Sequence, residues 1–375
     1  MKVAIISGGI PTIAYPIHGI FEFDQAKALA QKGIDVAYIV IDFRNVTFKR
    51  KFGLRRYDRE GVHVFELSLP LGVYRRALPI LQWLLLIPFR TMLKSFGKPD
   101  IIHAHFYSIS AIATILKRKY HIPFVITEHS SKLNKDPSRI SKLDKRLASK
   151  AYRHCDQLIC VSQALHDNLS RNFKHESVVI PNMVNDTVFH FRETPSSVAP
   201  FVFVSVGNLL PIKGFDTLIN AFARAKENAY LYIIGGGPEK EALECQISQL
   251  HLEHHVKLLG LMERSEINKV FQQSHVFVLS SRSETFGVCY IEAMYAGLPV
   301  IATRCGGPEE FVDKSNGILV SIDNPDELAY AMNNIRSLYS KYDSEQISKT
   351  CIAKFSPVVI AEKLISIYSR HIKTQ

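Results

Sequence analysis

The sequence predicts an α/β protein made of two doubly wound domains, each built around a parallel β-sheet. Short and almost wholly apolar runs alternate with helix-like segments along all 375 residues. Strands of a parallel sheet have this composition because helices cover both faces of the sheet. The length suits two domains of ordinary size, and a polar stretch at Asn185–Pro200 separates two series of strands.

Each predicted strand is bounded by turn residues or by a helix-like segment. Those of the first half are Lys2–Ser7, Asp35–Asp42, Val62–Leu69, Asp100–Phe106, Pro123–His129, Gln157–Ser162 and Ser177–Asn182. Those of the second half are Phe201–Gly207, Tyr230–Gly235, Val256–Gly260, His275–Ser281, Pro299–Thr303 and Gly317–Val320. We therefore predict Rossmann-like domains at residues 1–185 and 201–354, joined by a linker at 186–200. Because such sheets bind ligands at the carboxyl ends of their strands, we expect the two domains to face a cleft.

The composition excludes several classes of protein. Apolar residues make up 47% and charged residues 22% of the chain, which excludes disordered and fibrous proteins. The six cysteines form no Cys-x-x-Cys pair and are expected to be free thiols. Residues Met1–Pro16 lack the features of an export signal. The longest apolar stretch, Ala77–Phe89, has 13 residues, against the roughly 20 that span a bilayer. We expect a cytoplasmic protein.

The positive charge is concentrated in the first half of the chain. Residues 1–190 hold 28 Lys and Arg against 15 Asp and Glu, whereas residues 191–375 hold 18 against 20. Basic residues are dense in Lys49–Lys98, around the apolar Ala77–Phe89, where Trp83 is flanked by Arg75, Arg76 and Arg90. This pattern is typical of a segment that lies on an anionic membrane. The alternative is an ordinary core helix with solvated arginines at its ends.

The strongest local signal is the segment Ser280–Val312. Glu284 follows a predicted strand, and Glu292 comes eight positions later in a predicted helix, Phe286–Ala296, whose other residues place it on a buried face. A buried carboxylate requires hydrogen-bond partners, and the hydroxyls of a sugar are suitable ones. The free N–H groups at the helix start could bind phosphate. The alternative is that Glu292 pairs with the backbone or with an arginine.

With Gly297, Pro299 and Val300, these two glutamates resemble the motif of the retaining GT-B glycosyltransferases of family four, also called group 1. The motif is Glu, seven residues, Glu, and then a glycine and a Pro-Val strand. Further blocks resemble the same family in the same order, so that the resemblance covers nearly the whole chain. They are Gly19–Gly33, Asp100–Phe106, Pro123–His129, Phe201–Phe222 and Ile234–Leu243.

The resemblance implies that the domain at 1–185 binds the acceptor and that the domain at 201–354 binds a nucleotide-diphosphate sugar. It also implies that the helix in 355–375 crosses back to the first domain. Lys213 would neutralise the leaving phosphate, Glu284 would hold a hydroxyl of the transferred sugar, and His129 would lie near the anomeric carbon. These three are the candidate catalytic residues. The candidate residues for donor binding are Gly19, Asn208, Lys213, Gly236, Phe286, Gly287, Val288 and Glu292.

One position departs from the family pattern. Many members have an arginine after the glycine that ends the Phe201–Gly207 strand, and this chain has Asn208. A neutral amide supplies no cation for the diphosphate, so that Lys213, the helix N-termini or Arg282 would have to compensate.

We expect transfer without a metal or other cofactor, because no Asp-x-Asp-like pair follows a strand. His103 and His105 are separated by one residue, and we expect them to face opposite sides of their strand and not to chelate a metal.

The resemblance thus implies a retaining transferase that moves a hexose from a nucleotide-diphosphate sugar, UDP in preference to GDP or ADP, to an acceptor hydroxyl. We expect the acceptor to be a lipid-linked glycan or glycolipid of cell-surface polysaccharide synthesis, such as lipopolysaccharide. We expect the enzyme to be peripheral at the inner face of the plasma membrane. A sugar-nucleotide epimerase or a phosphorylase-like protein of the same fold is one alternative. A basic scaffold protein that has lost catalysis is another, but we expect no nucleic acid partner because no reading module is recognisable.

Overall fold

The computed structural model describes residues 1–72, 81–134, 139–191, 200–225 and 228–372. The chain divides into two compact units. Unit 1 comprises Met1–Met183 and Pro357–Gln375, and unit 2 comprises Val184–Ser356. The sequence had predicted domains at 1–185 and 201–354, with a C-terminal helical segment at 355–375.

Unit 1 contains an eight-stranded sheet whose order is β3-β4-β2-β1-β5-β6-β7-β8. The strands are β1 (Lys2–Ser7), β2 (Asp35–Asp42), β3 (Gly53–Arg59), β4 (Val62–Ser68), β5 (Ile101–His105), β6 (Phe124–Glu128), β7 (Gln157–Cys160) and β8 (Val178–Val179). The helices are α1 (Ile20–Gln31), α2 (Leu86–Ser95), α3 (Tyr107–Tyr120), α4 (Lys142–His154), α5 (Gln163–Phe173) and, from the end of the chain, α12 (Pro357–Ile372). All neighbouring strands are parallel except the pair β3 and β4.

Unit 2 contains a six-stranded parallel sheet whose order is β11-β10-β9-β12-β13-β14. The strands are β9 (Phe201–Val206), β10 (Ala229–Ile234), β11 (Val256–Gly260), β12 (Val276–Leu279), β13 (Val300–Thr303) and β14 (Gly317–Val320). The helices are α6 (Phe215–Ala225), α7 (Lys240–Gln249), α8 (Arg264–Gln273), α9 (Val288–Tyr295), α10 (Pro325–Ser337) and α11 (Ser344–Phe355). Counted within the unit, the order is 3-2-1-4-5-6, which is that of a Rossmann fold.

The predicted strands are confirmed, most within one or two residues at either end, but the sequence analysis missed β3. This edge strand pairs antiparallel with β4. Its residues alternate between exposed and half-buried, so that it lacks the apolar run by which the other strands were recognised. The signal that could have found it is the turn Glu60–Gly61, whose φ angles of 53° and 79° suit a two-residue hairpin.

The last helix of the chain, α12, packs into the core of unit 1. Ile360, Leu364 and Tyr368 are buried in the same apolar cluster as residues of β1, β2 and α1. Lys32 and Glu362 add an ion pair of 2.6 Å at the surface. The apolar face of α12 is therefore buried against β1, β2 and α1 of unit 1.

The basic segment Lys49–Lys98 is less positive at the surface than the sequence suggests. Arg50 is almost fully buried and lies 3.1 Å from the Asp42 carboxylate. Arg55 pairs with Glu66 at 2.5 Å, directly across the β3–β4 ladder. Arg59 donates to the carbonyl of Pro11 at 2.6 Å. These three arginines serve the local structure, so that the segment presents less positive charge to solvent than its composition suggests.

The described part of Ala77–Phe89 has features both of a core helix and of a segment that lies on a membrane. Leu85, Leu86 and Phe89 are buried, as in a core helix, whereas Trp83 is 60% and Ile87 43% exposed. Arg75, Arg76 and residues 77–80 lie outside the described residues. All six cysteines are free thiols, as predicted. Among the described residues, we find no helix long and apolar enough to cross a bilayer.

Candidate functional site

The candidate donor residues of unit 2 gather at the switch point of its sheet. Strands β9 and β12 are neighbours, but their chain connections leave in opposite directions across the sheet. In such sheets the crevice beyond the carboxyl ends of these two strands is the usual ligand site. Lys213 lies on the loop after β9, and Glu284 lies on the loop after β12.

The two loops are fastened together below these side chains. Gly214 has a φ angle of 64°, and a Cβ atom there would lie 2.2 Å from the carbonyl oxygen of Ser280. The Ser280 hydroxyl in turn donates to the carbonyl of Gly214 at 2.6 Å. Only glycine permits this approach of the two backbones. Because Gly214 directly follows Lys213, this close packing fixes the position of the Lys213 backbone relative to the loop after β12.

Lys213 and Glu284 form an ion pair. The Lys213 Nζ atom lies 2.6 Å from Glu284 Oε1, and the Ser281 hydroxyl donates to the same oxygen at 2.7 Å. Burial by itself lowers the pKa of Lys213, but the carboxylate of Glu284 more than offsets this, so that the pKa of the ammonium is raised. The site thus holds a fixed positive charge at neutral pH beside a buried carboxylate.

Glu292 lies on α9, and its exposure of 7% confirms the predicted buried position. Its Oε1 atom is 3.4 Å from the Arg264 guanidinium at the start of α8. The sequence analysis left open that Glu292 pairs with an arginine, and the structure shows this pair. A carboxylate has four lone-pair sites on two oxygens, so that a further donor such as a sugar hydroxyl can share it.

Helix α9 begins at Val288, two residues later than predicted. Gly287 precedes it with a φ angle of 93°, and Phe286 is buried against Phe311 and Phe355. The Tyr290 hydroxyl donates to the carbonyl of Leu279 at 2.8 Å and ties the helix to β12. The backbone N–H groups at this helix start therefore lie at the switch point, where anions are stabilised.

The turn after β10 packs closely on the loop after β9. A Cβ atom on Gly235 would lie 1.9 Å from the carbonyl oxygen of Gly207, and one on Gly237 would lie 2.4 Å from that of Leu209. A larger residue at Gly235 or Gly237 would therefore collide with the backbone of the neighbouring loop. A Cβ atom on Gly236, the candidate donor residue between them, would instead lie 2.9 Å from the side chain of Leu261, which is 78% exposed.

Asn208 and Arg282 differ in their availability to a ligand. Asn208, which stands where the family pattern often has arginine, is exposed. Arg282 lies 2.7 Å from each of the carboxylates Asp216 and Asp323, and it also donates to the carbonyl of Pro211. Because two acids neutralise Arg282, it does not replace the missing family arginine. Lys213 and the start of α9 are left as the positive groups.

In unit 1, Gly19 precedes α1 with a φ angle of 74°. A Cβ atom there would lie 2.3 Å from the carbonyl oxygen of Gly9, to which the Tyr38 hydroxyl also donates at 2.9 Å. Gly19 thus brings the loop after β1 back onto itself. Its predicted role in donor binding stays a prediction.

His129 lies at the end of β6 as one of three neighbouring imidazoles. His105 Nδ1 and His129 Nε2 are 3.0 Å apart, and their rings are stacked with centroids separated by 5.3 Å. The rings of His103 and His105 have centroids 4.4 Å apart. The prediction that these two face opposite sides of β5 is therefore wrong, because residues two positions apart on a strand share a face. Among the described residues, no group of His, Cys, Asp and Glu side chains could hold a metal ion.

The histidines are neutral at physiological pH. Burial lowers the pKa of His103 to about 3 and that of His129 to about 4, and it holds the pKa of His105 well below its usual value. His103 is fully satisfied, by the Tyr368 hydroxyl at 2.6 Å and the Thr127 hydroxyl at 2.7 Å. Neutral imidazole can donate and accept hydrogen bonds but carries no charge.

Glu128, next to His129, holds the end of β6 in place. Its carboxylate accepts from the backbone of Tyr107, His129 and Ser130 and from the Tyr152 hydroxyl, at 2.8 to 3.0 Å. Burial raises the pKa of Glu128 to about 7.

Sequence reasoning missed Ser281, Arg264, His105 and Tyr368 as partners of the candidate residues. Of these, only His105 could have been recognised in the sequence. It lies at the end of a predicted strand, two positions after His103, and side chains at this spacing share one face of a strand.

Comparison with known proteins agrees with this arrangement. The family model "Glycosyl transferases group 1" matches residues 187–349, and "Glycosyltransferase Family 4" matches residues 23–188. Together the two models cover most of both units.

Several named glycosyltransferases are similar in sequence to much of this chain. An uncharacterized glycosyltransferase of Methanocaldococcus jannaschii is 33% identical over 61% of this chain, and the match spans 63% of that protein, less than two thirds of it. The putative teichuronic acid biosynthesis glycosyltransferase TuaC of Bacillus subtilis is 25% identical over 94% of this chain and 92% of its own length. The alpha-monoglucosyldiacylglycerol synthase of Acholeplasma laidlawii is 26% identical, with 68% of this chain and 74% of the relative covered.

Solved structures show the same fold. A sucrose-phosphate synthase from Thermosynechococcus elongatus superimposes with a TM-score of 0.85 at 20% identity, over the whole of both chains. Anabaena HepE, solved in complex with UDP, superimposes with a TM-score of 0.73 at 21% identity, over 98% of this chain and 99% of its own. The two Rossmann-like units have the GT-B fold, and the chain belongs to the glycosyltransferases of family four and the group 1 type.

Proposed function

We propose that this protein is a retaining glycosyltransferase that moves a hexose from a UDP-sugar to an acceptor hydroxyl. The observation that carries the proposal is the meeting of Lys213, Glu284 and the start of α9 at the switch point of unit 2. A cation and free N–H groups suit a diphosphate, and a buried carboxylate suits sugar hydroxyls.

The chemistry follows from these charges. The bond between the anomeric carbon and the β-phosphate oxygen breaks, and the acceptor oxygen forms its bond on the same face of the sugar. The acceptor proton passes to the departing phosphate oxygen, which gives a nucleoside diphosphate and a glycoside. Lys213 stabilises the negative charge that develops on this phosphate. The carboxylate of Glu284 holds a sugar hydroxyl close to the developing positive charge at the anomeric carbon.

Lys213 changes its partner in this scheme. Its ammonium now lies on Glu284, and a bound diphosphate would attract it by charge. Because its pKa is raised, the ammonium is charged over the whole physiological range and requires no proton uptake on binding. We propose that this cation and the dipole of α9 make a divalent metal unnecessary. Transfer that is unchanged by a chelator, and not enhanced by magnesium or manganese, is the expected result.

In unit 1, we propose that His129 contacts a hydroxyl of the sugar or acceptor as a neutral hydrogen-bonding group. Its lowered pKa supports this role and excludes one as a cation at neutral pH. The 3.0 Å contact couples the tautomers of His105 and His129, since one of the two facing nitrogens must donate and the other accept.

The relatives support the choice of substrates. HepE was solved with UDP, which favours UDP as the donor nucleotide. The names of two relatives refer to the synthesis of a glucosylated diacylglycerol and of teichuronic acid. We therefore propose a glycolipid or lipid-linked glycan of the cell surface as acceptor, and an enzyme that works in the cytoplasm against the inner face of the membrane.

Thermal stabilisation by a panel of UDP, GDP, ADP and their sugars tests the donor site. A ligand that binds only the native state raises the melting temperature. We expect a shift with UDP that is weaker in Lys213→Met and Glu292→Gln. Lys269→Met and Glu241→Gln are matched controls, because both side chains are exposed and lie on other helices of unit 2. The controls should keep the wild-type shift.

Two results would correct the proposal. A shift with GDP or ADP alone would replace the donor nucleotide and leave the site intact. Folded protein that responds to no nucleotide would overturn the proposal and favour the scaffold alternative. Release of UDP from a UDP-sugar with retained anomeric configuration in the glycoside product would separate a transferase from an epimerase.

A further inference from the structure

Helix α4 carries a continuous basic stripe. Each member lies three or four residues from another member, which places them on one broad face of the helix. They are Lys142, Lys145, Arg146, Ser149, Lys150 and Arg153, and together with Leu143 and Leu147 they line one surface groove. Lys142, Arg146 and Arg153 are exposed. The acidic residue of the helix, Asp144, is buried and accepts from the Tyr107 hydroxyl at 2.6 Å, away from the stripe.

This stripe keeps its positive charge. Among the residues that the structure describes, no carboxylate forms an ion pair with any of its five basic side chains. Arg50 and Arg55, in the segment that the sequence favoured, are by contrast paired with Asp42 and Glu66. Among the described residues, α4 therefore carries a group of basic side chains whose charge no ion pair offsets.

Like charges crowd around the centre of the stripe. The pKa of Lys150 is lowered, first by burial and then by the charge of Arg118 from α3. An anion placed here would offset the repulsion between these two cations. Such crowding is unfavourable for a free surface and favourable for one that meets negative charge.

An exposed apolar pair lies beside the stripe. The Lys150 ammonium donates to the Gln82 side chain at 3.2 Å, and the next residue is Trp83. Trp83 and Ile87 are 60% and 43% exposed although their neighbours Leu85 and Leu86 are buried. A tryptophan beside cations is typical of the boundary between lipid headgroups and acyl chains.

We propose that the basic stripe of α4, with Trp83 and Ile87, docks unit 1 on a bilayer that contains anionic phospholipids. The basic side chains bind headgroup phosphates, and the two apolar side chains enter the interface. An aliphatic and an indole side chain favour lipid over nucleic acid, which requires stacking aromatics along the groove. The proposed function places the enzyme at the membrane but names no contacting residues, and this proposal supplies them. It rests on the proposed function only for the reason why the protein would bind a membrane.

The first test is co-sedimentation of the full chain with vesicles of phosphatidylcholine, with and without phosphatidylglycerol. Binding is expected only with the anionic lipid and should weaken with salt. The charge reversal Lys142→Glu/Arg146→Glu should weaken binding about 30-fold or more, since each basic residue near the surface contributes about one factor of five. Lys49→Glu/Lys51→Glu is the matched control, with the same change of charge in the segment Lys49–Lys98, and it should bind as the wild type does.

The second test uses Trp83 itself, which is the one tryptophan of the sequence. Its fluorescence should shift to shorter wavelengths on anionic vesicles and be quenched by lipids brominated near the headgroup. Bound protein whose tryptophan emission does not change would overturn the apolar part of the surface.

Three further results would overturn the assignment of the docking surface or of its partner. Equal binding by the α4 variant and the wild type, or loss of binding in the Lys49/Lys51 control alone, would overturn the assignment to α4. A short RNA that binds through α4 more tightly than the vesicles do would overturn the lipid assignment. Stabilisation by UDP, measured without lipid, should be the same in the α4 variant. It shows that this variant is folded and separates a failure of docking from a failure of the donor site.

Discussion

The carboxyl ends of the two sheets differ in their chemistry. In unit 2, the loops after β9 and β12 bring together a lysine and a carboxylate 2.6 Å apart. In unit 1, the ends of β5 and β6 bring together His105 and His129, 3.0 Å apart. The backbone order around both places is that of a Rossmann sheet.

The difference shows how burial acts on two kinds of titratable group. The carboxylate of Glu284 opposes the effect of burial on Lys213, so that the pKa of the lysine is raised and its ammonium stays charged. Among the described side chains, no carboxylate forms an ion pair with the three histidines, and burial therefore keeps them neutral. One fold thus supplies a charged site in unit 2 and an uncharged hydrogen-bonding site in unit 1, as expected for a diphosphate and a sugar hydroxyl respectively.

The largest expected effect is that of Lys213→Met. It removes the cation from the charged site, and we expect turnover to fall by about 10² to 10³, the range seen when one group that stabilises transition-state charge is lost. Initial rates of UDP release measure this. Lys213→Arg should recover part of the activity, because it restores the charge in another shape. Wild-type rates in Lys213→Met would remove the distinction between the two sites.

The second effect is on stability in acid and concerns the neutral site. The pKa of His129 is about 4 in the folded protein and about 6.5 in an unfolded chain. Between these values the unfolded state binds more protons, so that the free energy of unfolding falls as the pH drops from about 6.5 to about 4. A shift of this size corresponds to roughly 3 kcal/mol.

Chemical denaturation at pH 7 and pH 4.5 measures this loss, and His129→Gln provides the comparison. Glu128 acts in the opposite sense, because its pKa is raised to about 7, so only the difference between wild type and variant is informative. The variant should lose less stability in acid. An equal loss in both would mean that His129 is charged in the folded protein.

The third prediction concerns Glu292→Gln, which would replace a charge-assisted hydrogen bond from Glu292 to a hydroxyl of the bound donor by a neutral one. We expect UDP affinity to fall by about 10-fold, since a hydrogen bond to a charged group contributes about 1.5 to 3 kcal/mol. Arg264 loses its ion pair in this variant, and Arg264→Gln is therefore the control for a purely structural effect. Titration calorimetry with UDP measures both. Equal losses would make the Arg264–Glu292 pair structural.

The smallest expected effect is a gain in Asn208→Arg. The new cation would join Lys213 at the charged site, and we expect UDP to bind a few times more tightly, as one charge-assisted contact at an exposed position allows. Asn208→Gln keeps a neutral amide and should bind as the wild type does. Unchanged affinity in the arginine variant would mean that Asn208 does not contact the diphosphate.

Much of the fold could be predicted because its signals are local. An apolar run of a few residues identifies a buried strand whatever its neighbours are. The exposed edge strand β3 was missed for the same reason, since its side chains alternate and half of them meet solvent. The sequence also placed Glu292 correctly on a buried face, because helical spacing alone gives that result.

The sequence by itself determined the order of strands and helices, the positions of Lys213, Glu284 and His129 after strands, and the excess of positive charge in the first half. The tertiary structure alone decided which groups meet. Lys213 and Glu284 are 71 residues apart in the chain, and His103 and Tyr368 are 265 apart. Charge at a surface depends on such distant partners, because an arginine next to a carboxylate adds little field. For this reason Arg50 and Arg55 are structural, whereas the described residues show no ion pair for the basic side chains of α4.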